Sequence, residues 1–213
     1  MTFAAILFDL DGTLIDTEAL ARAAGQYAFD QLGLSLEEDL WTMLVGRDQE
    51  SGEAILKNHF GEIDLRRLET LWNAETRRLE AGGIALKPGA RALLAGTDAL
   101  GIPRGLATSS QRHSARRKMQ RTDLGGFGAV VTANDVDNRK PAPDAYLLAA
   151  RLLGVDPRDC LAFEDSETGA EAAFRAGMRV VQVPDLVPST GRFAHHVAED
   201  LLTGARAAGL ATF

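Results

Sequence analysis

Residues 6–16, ILFDLDGTLID, constrain this chain more than any other stretch. An apolar run over 3–10 is long enough for a strand buried on both faces, and its β-branched and aromatic residues suit that role. It ends abruptly in acid, glycine and threonine. Side chains alternate along a strand, so Asp9 and Asp11, two positions apart, can address one spot beyond its carboxyl end. In open α/β sheets that is where ligands bind. Two acids so close repel each other unless a cation or a shared proton intervenes.

The pair suggests a division of labour. One carboxylate can bind a cation and attack phosphorus, while the other gives a proton to the leaving oxygen. Gly12 allows a sharp turn just past the strand. A lone Asp-x-Asp is more often a helix cap or a turn, so the case depends on partners elsewhere in the chain.

From 17 to about 82 the pattern is helical. Apolar residues recur at helical spacing over 18–32 and stop at Gly33. Ser35-Leu36-Glu37-Glu38 predicts a helix start with a capping box. Further helices are expected over 50–60 and 64–80, the last closed by Gly82-Gly83. No strand candidate interrupts the region. Past Lys87-Pro88-Gly89 the pattern alternates: helix 90–100, strand 102–108, helix 114–121, strand 129–132, helix 142–153, strand 160–163, helix 167–176, strand 179–183. Alternation of this kind means a parallel, doubly wound α/β sheet. The first strand belongs to it, so the expected organisation is a core of 1–16 and 84–213 with a helical insert of 17–83.

Three further strand ends carry chemistry. Thr108-Ser109-Ser110 is a hydroxyl cluster able to donate to phosphate oxygens, backed by the amides of the next helix N-terminus; capping that helix is the plainer role. Lys140, before Pro141 and a proline-fixed helix start, can neutralise a nucleophile and a phosphoryl group, though isolated lysines are usually solvated. Glu164-Asp165-Ser166, with Gly169 beyond, is a second acidic pair suited to a hard cation, or again to capping.

Together and in this order, these segments resemble the haloacid dehalogenase-like (HAD) hydrolases. Asp9-Leu-Asp11-Gly-Thr-Leu is similar to their first motif, Thr108 to the second, Lys140 to the third and Glu164-Asp165-Ser166-x-x-Gly169 to the fourth. The resemblance covers essentially the whole chain. It implies a Rossmann-like core with the inserted α-helical cap of subfamily I, nearest the phosphoglycolate phosphatase and β-phosphoglucomutase-like branch. It further implies Asp9 as nucleophile through an aspartyl-phosphate and Asp11 as general acid/base. Mg²⁺ would be held by Asp9, the Asp11 backbone carbonyl and Asp165, with Glu164 assisting. Thr108 and Lys140, with Ser109 and Ser110, would hold the phosphoryl group.

Departures from the branch bear on the activity. The mutases carry a cap histidine at the place corresponding to the neighbourhood of Ala21, where none stands here, and a lysine where Val45 precedes Gly46. A phosphatase of a sugar phosphate or similar phosphomonoester is therefore the expected function, with a β-phosphoglucomutase-type mutase as the alternative. A non-catalytic binding protein on the same scaffold is a further rival, opposed by the presence of Asp9, Asp11, Thr108, Lys140 and Asp165 together. Arg139 replaces the glycine usual before the third-motif lysine. Gly46-Arg47, between two cap helices, is the candidate contact for substrate phosphate or carboxylate.

The net charge of −7 and the lack of a basic cluster with interleaved aromatics argue against nucleic acid; Arg116-Arg117-Lys118 reads as a solvated helix face. The N-terminal apolar run is short and broken by Asp9, so no signal peptide is expected, and no apolar stretch is of membrane-spanning length. The single cysteine, Cys160, excludes an internal disulfide and suits a reducing cytoplasm; it reads as a core residue. His59, His113, His195 and His196 have no metal-site spacing. The expected partner is a small phosphorylated molecule, and the expected state a monomer or weak dimer.

Overall fold

The computed structural model describes residues 3–45 and 49–210. The chain forms two compact units, one of Met1–Asp16 with Ala85–Phe213, the other of Thr17–Ile84.

The first unit is built on strands β1 (Ala5–Phe8), β2 (Arg104–Ala107), β3 (Ala129–Val131), β4 (Cys160–Glu164), β5 (Arg179–Gln182) and β6 (His196–Val197). Among the described residues they make one sheet in the order β3-β2-β1-β4-β5-β6, every pairing parallel. All four residues of β1 are fully buried. A strand without a polar alternate must be covered on both sides. Ala5 and Leu7 pack with Ala149 and Ala173, while Phe8 stacks on Phe163 of β4 with ring centroids 5.4 Å apart. Helices α5 (Ala90–Ala99), α6 (Arg112–Thr122), α7 (Asp144–Leu153), α8 (Glu167–Arg175) and α9 (Leu201–Ala207) complete the unit. The chain turns from β2–β3 on one side of β1 to β4–β6 on the other. The carboxyl ends of β1, β2 and β4 therefore meet at the topological switch point, the crevice position of such sheets.

The second unit holds α1 (Glu18–Gln31), α2 (Glu38–Leu44), α3 (Gln49–Phe60) and α4 (Leu65–Ala81). Its core gathers Phe29, Leu36, Leu40, Trp41, Leu56 and Leu68, with Trp72 edge-on to Phe29 and stacked on Trp41. Asp64 caps α4 by accepting from the Arg67 amide at 2.9 Å. The insert leaves and rejoins the sheet unit at one point: the Asp16 amide donates to the Ala85 carbonyl at 2.9 Å, and Ile15 bridges antiparallel to Leu86.

Two expectations change. The capping box at Ser35 does not form: α2 begins at Glu38, its N-cap Glu37 makes no side-chain cap bond, and the Ser35 hydroxyl donates to the Glu37 carboxylate at 2.6 Å. Ser35 satisfies its local bonding two residues on, which is the alternative that serine always offers a helix start. Beyond the alternation that the sequence shows, β6 and α9 extend the sheet unit; a two-residue strand and a seven-residue helix carry too little periodicity to be read.

Candidate active site

The site grows from the end of β1. Asp9 lies one residue past the strand, its amide donating to the Phe163 carbonyl at 3.0 Å, and its side chain is almost wholly buried. Lys140 reaches it from the loop before α7. The Lys140 ammonium donates to Asp9 Oδ1 at 2.7 Å, to the Ala107 carbonyl at 2.9 Å and to Glu164 Oε1 at 2.5 Å. One cation thus ties together the ends of β1, β2 and β4. The Lys140-Pro141 peptide bond is cis. Burial alone would lower the lysine's affinity for its proton; the Asp9 and Glu164 carboxylates more than offset this and hold it above its ordinary range.

Glu164, the last residue of β4, is completely buried. Besides Lys140, its Oε1 accepts from the Tyr146 hydroxyl at 2.6 Å, while its Oε2 is buried with no partner. Gly169 of α8 makes room for it: a Cβ there would lie 2.1 Å from the carboxylate. Asp165 follows, its Oδ1 accepting from the Thr13 hydroxyl at 3.2 Å. Gly12 leaves the space on the other side. Its φ is +83°, which favours glycine, and a Cβ would come within 2.5 Å of Asp165 Oδ2. The glycine of Asp-x-Asp-Gly is thus demanded twice, by its backbone and by its neighbour.

Carboxylate oxygens of Asp9, Glu164 and Asp165 lie within 4.8 Å of one another. Burial, with Glu164 and Asp11 nearby, pushes the Asp9 carboxyl up to about 7 against the pull of Lys140. Burial and the charges of Asp9 and Glu164 raise Asp165 well above its usual range. Three crowded acids, two held reluctant to ionise and one with an orphaned buried oxygen, fit a hard divalent cation, which would relieve the repulsion and partner that oxygen.

Asp11 has a different setting. Its Oδ1 accepts from the Lys118 ammonium at 2.6 Å and its Oδ2 from the Ser110 hydroxyl at 2.6 Å; Lys118 also reaches Ser110 at 3.2 Å. Its carboxylate is outside the three-acid group. Lys118 thus departs from the solvated helix face expected of Arg116-Arg117-Lys118. The helix turns Lys118 inward with Ala115 and Thr122, and its side chain is only 13% exposed. A run of three basic residues spans more than half a helical turn, so one of them can face inward, and the run alone does not say which.

Thr108, at the end of β2, is buried, its amide donating to the Val131 carbonyl and its hydroxyl accepting from the Ser110 amide at 3.0 Å. Ser109 is exposed. The hydroxyl cluster does not cap α6, which starts after Gln111 without a side-chain cap. In the fourth segment capping does occur, but through the Ser166 hydroxyl, which accepts from the Gly169 amide at 3.1 Å, and not through Glu164 or Asp165. The site therefore gathers Asp9, Asp11, Thr108, Ser110, Lys140, Glu164 and Asp165. Gly46 and Arg47 lie outside the described residues. Lys118 and Tyr146 are additions that strand-end reasoning did not reach, Tyr146 because it sits on the apolar face of α7.

Of the remaining singled-out residues, His113 and Arg139 are exposed and others have structural settings. Cys160 is buried in β4, where burial, with Asp159 and Asp156 nearby, pushes its thiol up to about 12. His195 accepts from the Val180 amide through Nδ1, and His59 packs edge-on to Phe60. No helix of the described residues is long and apolar enough to cross a membrane.

Known proteins carry the same framework. The family model of the haloacid dehalogenase-like hydrolases matches residues 3–177. The chain is 37% identical to hexitol phosphatase A of Escherichia coli over 83% of its length and 81% of that protein's. It is 34% identical to a phosphorylated carbohydrates phosphatase of Thermotoga maritima, covering 82% of each. The crystal structure of a HAD family hydrolase from Deinococcus radiodurans, with bound phosphate and sodium, superposes with a TM-score of 0.82 at 28% identity, over 97% of this chain and 94% of that one. With its motifs at the ends of β1, β2 and β4 and its helical insert after the first of them, the chain belongs to the haloacid dehalogenase-like hydrolases.

Proposed function

We propose that the protein is a Mg²⁺-dependent phosphatase of a small phosphorylated metabolite, a sugar phosphate or a similar phosphomonoester, acting through an aspartyl-phosphate on Asp9. The observation that carries this reading is the contrast between the two acids of the first motif. Asp9 is buried among carboxylates and gripped by Lys140, while Asp11 stands apart with Lys118 and Ser110. Paired acids in unlike surroundings are the mark of unlike roles. Two phosphatases of phosphorylated carbohydrates among its relatives support the substrate class.

In the first step an Asp9 oxygen attacks phosphorus and the phosphorus–ester oxygen bond breaks. Asp11, in its acid form, gives its proton to the leaving alkoxide, releasing the alcohol. In the second step Asp11 takes a proton from water, whose oxygen attacks phosphorus. The bond to Asp9 breaks, phosphate leaves, and both acids return to their starting states. Thr108, Ser110 and Lys140 hold the phosphoryl oxygens, and Lys140 lowers the repulsion between Asp9 and an anionic substrate. Asp9, Asp165 and Glu164 would hold the Mg²⁺, with the Asp11 backbone carbonyl, and the ion supplies charge neutralisation. The helical unit, 17–84, is the cap and the source of substrate selectivity. We further infer a cytoplasmic protein, monomeric or weakly dimeric, to which a single buried cysteine is suited.

Phosphate release from a panel of phosphomonoesters, with Mg²⁺ or with EDTA, tests the reading in wild type and Asp9→Asn. Release that needs Mg²⁺ and falls at least ~10³-fold in Asp9→Asn is the expected result. Isomerisation of a sugar phosphate without phosphate release would install the mutase instead, and no turnover of any ester would leave a binding protein.

A further inference from the structure

We propose that Tyr146 is a positioning residue for the cation: its hydroxyl locks the Glu164 carboxylate so that Oε2 is presented for coordination. The inference rests on the reading of Asp9, Glu164 and Asp165 as a divalent-cation site. Tyr146 belongs to the apolar side of α7, packed among Ala145, Ala149 and Ala150, and is fully buried. A tyrosine ring in such a place needs a partner for its hydroxyl, and here the partner is Glu164 Oε1 at 2.6 Å.

The torsion that orients a glutamate's carboxylate is soft and has no sharp minima. One donor on Oε1 would leave the group free to turn about that contact. Two donors from different directions do not: Lys140 approaches from the loop before α7 and Tyr146 from within the helix, both onto Oε1. Lys140 also lies 5.0 Å from the centre of the Tyr146 ring, so the ring steadies the lysine as the hydroxyl steadies the acid. Gly169 closes the third side, with no room for a Cβ against the carboxylate. The result is a clamped Oε1 and a buried Oε2 without a hydrogen-bond partner. An orphaned carboxylate oxygen costs stability unless something positive meets it. Partners that orient a ligating carboxylate are worth roughly ten- to a hundredfold in metal affinity.

The test is Mg²⁺ titration by calorimetry into wild type, Tyr146→Phe, Glu164→Ala and the double variant, each checked for native circular dichroism. Phenylalanine keeps the ring and removes only the hydroxyl. About tenfold weaker Mg²⁺ binding is expected in Tyr146→Phe, with kcat returning to within a few-fold of wild type once Mg²⁺ saturates. In the Glu164→Ala background the same change should have no effect on Mg²⁺ affinity, because the hydroxyl then has nothing to orient. A packing role alone would lower the melting temperature and leave Mg²⁺ affinity untouched, and that outcome overturns the inference while sparing the cation site. Wild type that takes up no Mg²⁺ would overturn both.

Discussion

The two units of this molecule solve opposite problems with buried side chains. In the helical unit the central cluster is apolar and aromatic, with Phe29, Leu40, Trp41 and Trp72 packed against one another, while α4 also buries Glu75 and Glu80. In the sheet unit Arg104 is buried at the amino end of β2, but buried charge gathers at the carboxyl ends of β1, β2 and β4. There Asp9, Glu164, Lys140 and Tyr146 are buried together and bound to one another. Burying charge is tolerated only where partners are fixed beforehand, and a parallel sheet fixes its strand ends better than a helix pair fixes its surface. The lesson is that chemistry sits where the backbone is most constrained, and that a substitution of the same kind should read differently in the two places.

The largest effect on stability belongs to the helical unit. Leu40→Ala empties a fully buried position and should cost about 3 kcal/mol in denaturant unfolding. In the sheet unit Lys118→Met should instead cost rate: kcat falls roughly a hundredfold as Asp11 loses its cation, with stability changed by no more than about 1 kcal/mol. A Lys118→Met protein that unfolds easily but turns over normally would break the comparison. A pair of glycines sharpens it. Gly169→Ala drives a methyl group to 2.1 Å from the Glu164 carboxylate and should destabilise by about 2 kcal/mol while weakening Mg²⁺ binding. Gly52→Ala, inside α3 with its nearest neighbour 3.9 Å away, should stabilise by about 0.5–1 kcal/mol, read as a higher melting temperature.

The same contrast explains what the sequence could convey. The parallel sheet was legible because β1 is an unbroken apolar run and because helices and strands alternate after Pro88. The acids, hydroxyls and lysine of the site were legible as types standing at strand ends. Their pairing was not. Nothing in spacing says that Lys140 meets Asp9 across 131 residues, or that Ser110 and Lys118 share Asp11. Tyr146 was hidden by its own periodicity, since a helix face of alanine, leucine and tyrosine reads as core. Ser35 misled because the acid that would complete a capping box, Glu38, is preceded by Glu37, which the Ser35 hydroxyl bonds instead.

The point where the helical unit joins the sheet unit has an evolutionary consequence. The chain departs after Asp16 and returns at Ala85, and the two ends are tied by a backbone hydrogen bond and the Ile15–Leu86 bridge. To the sheet, everything between them is a loop whose ends already touch. The entropy of closing such a loop grows only with the logarithm of its length, so an insert can lengthen, shrink or be exchanged at little thermodynamic cost to the strands that carry the acids. A chain so arranged can vary its helical insert without rebuilding the strand ends that hold Asp9, Lys140 and Glu164 together.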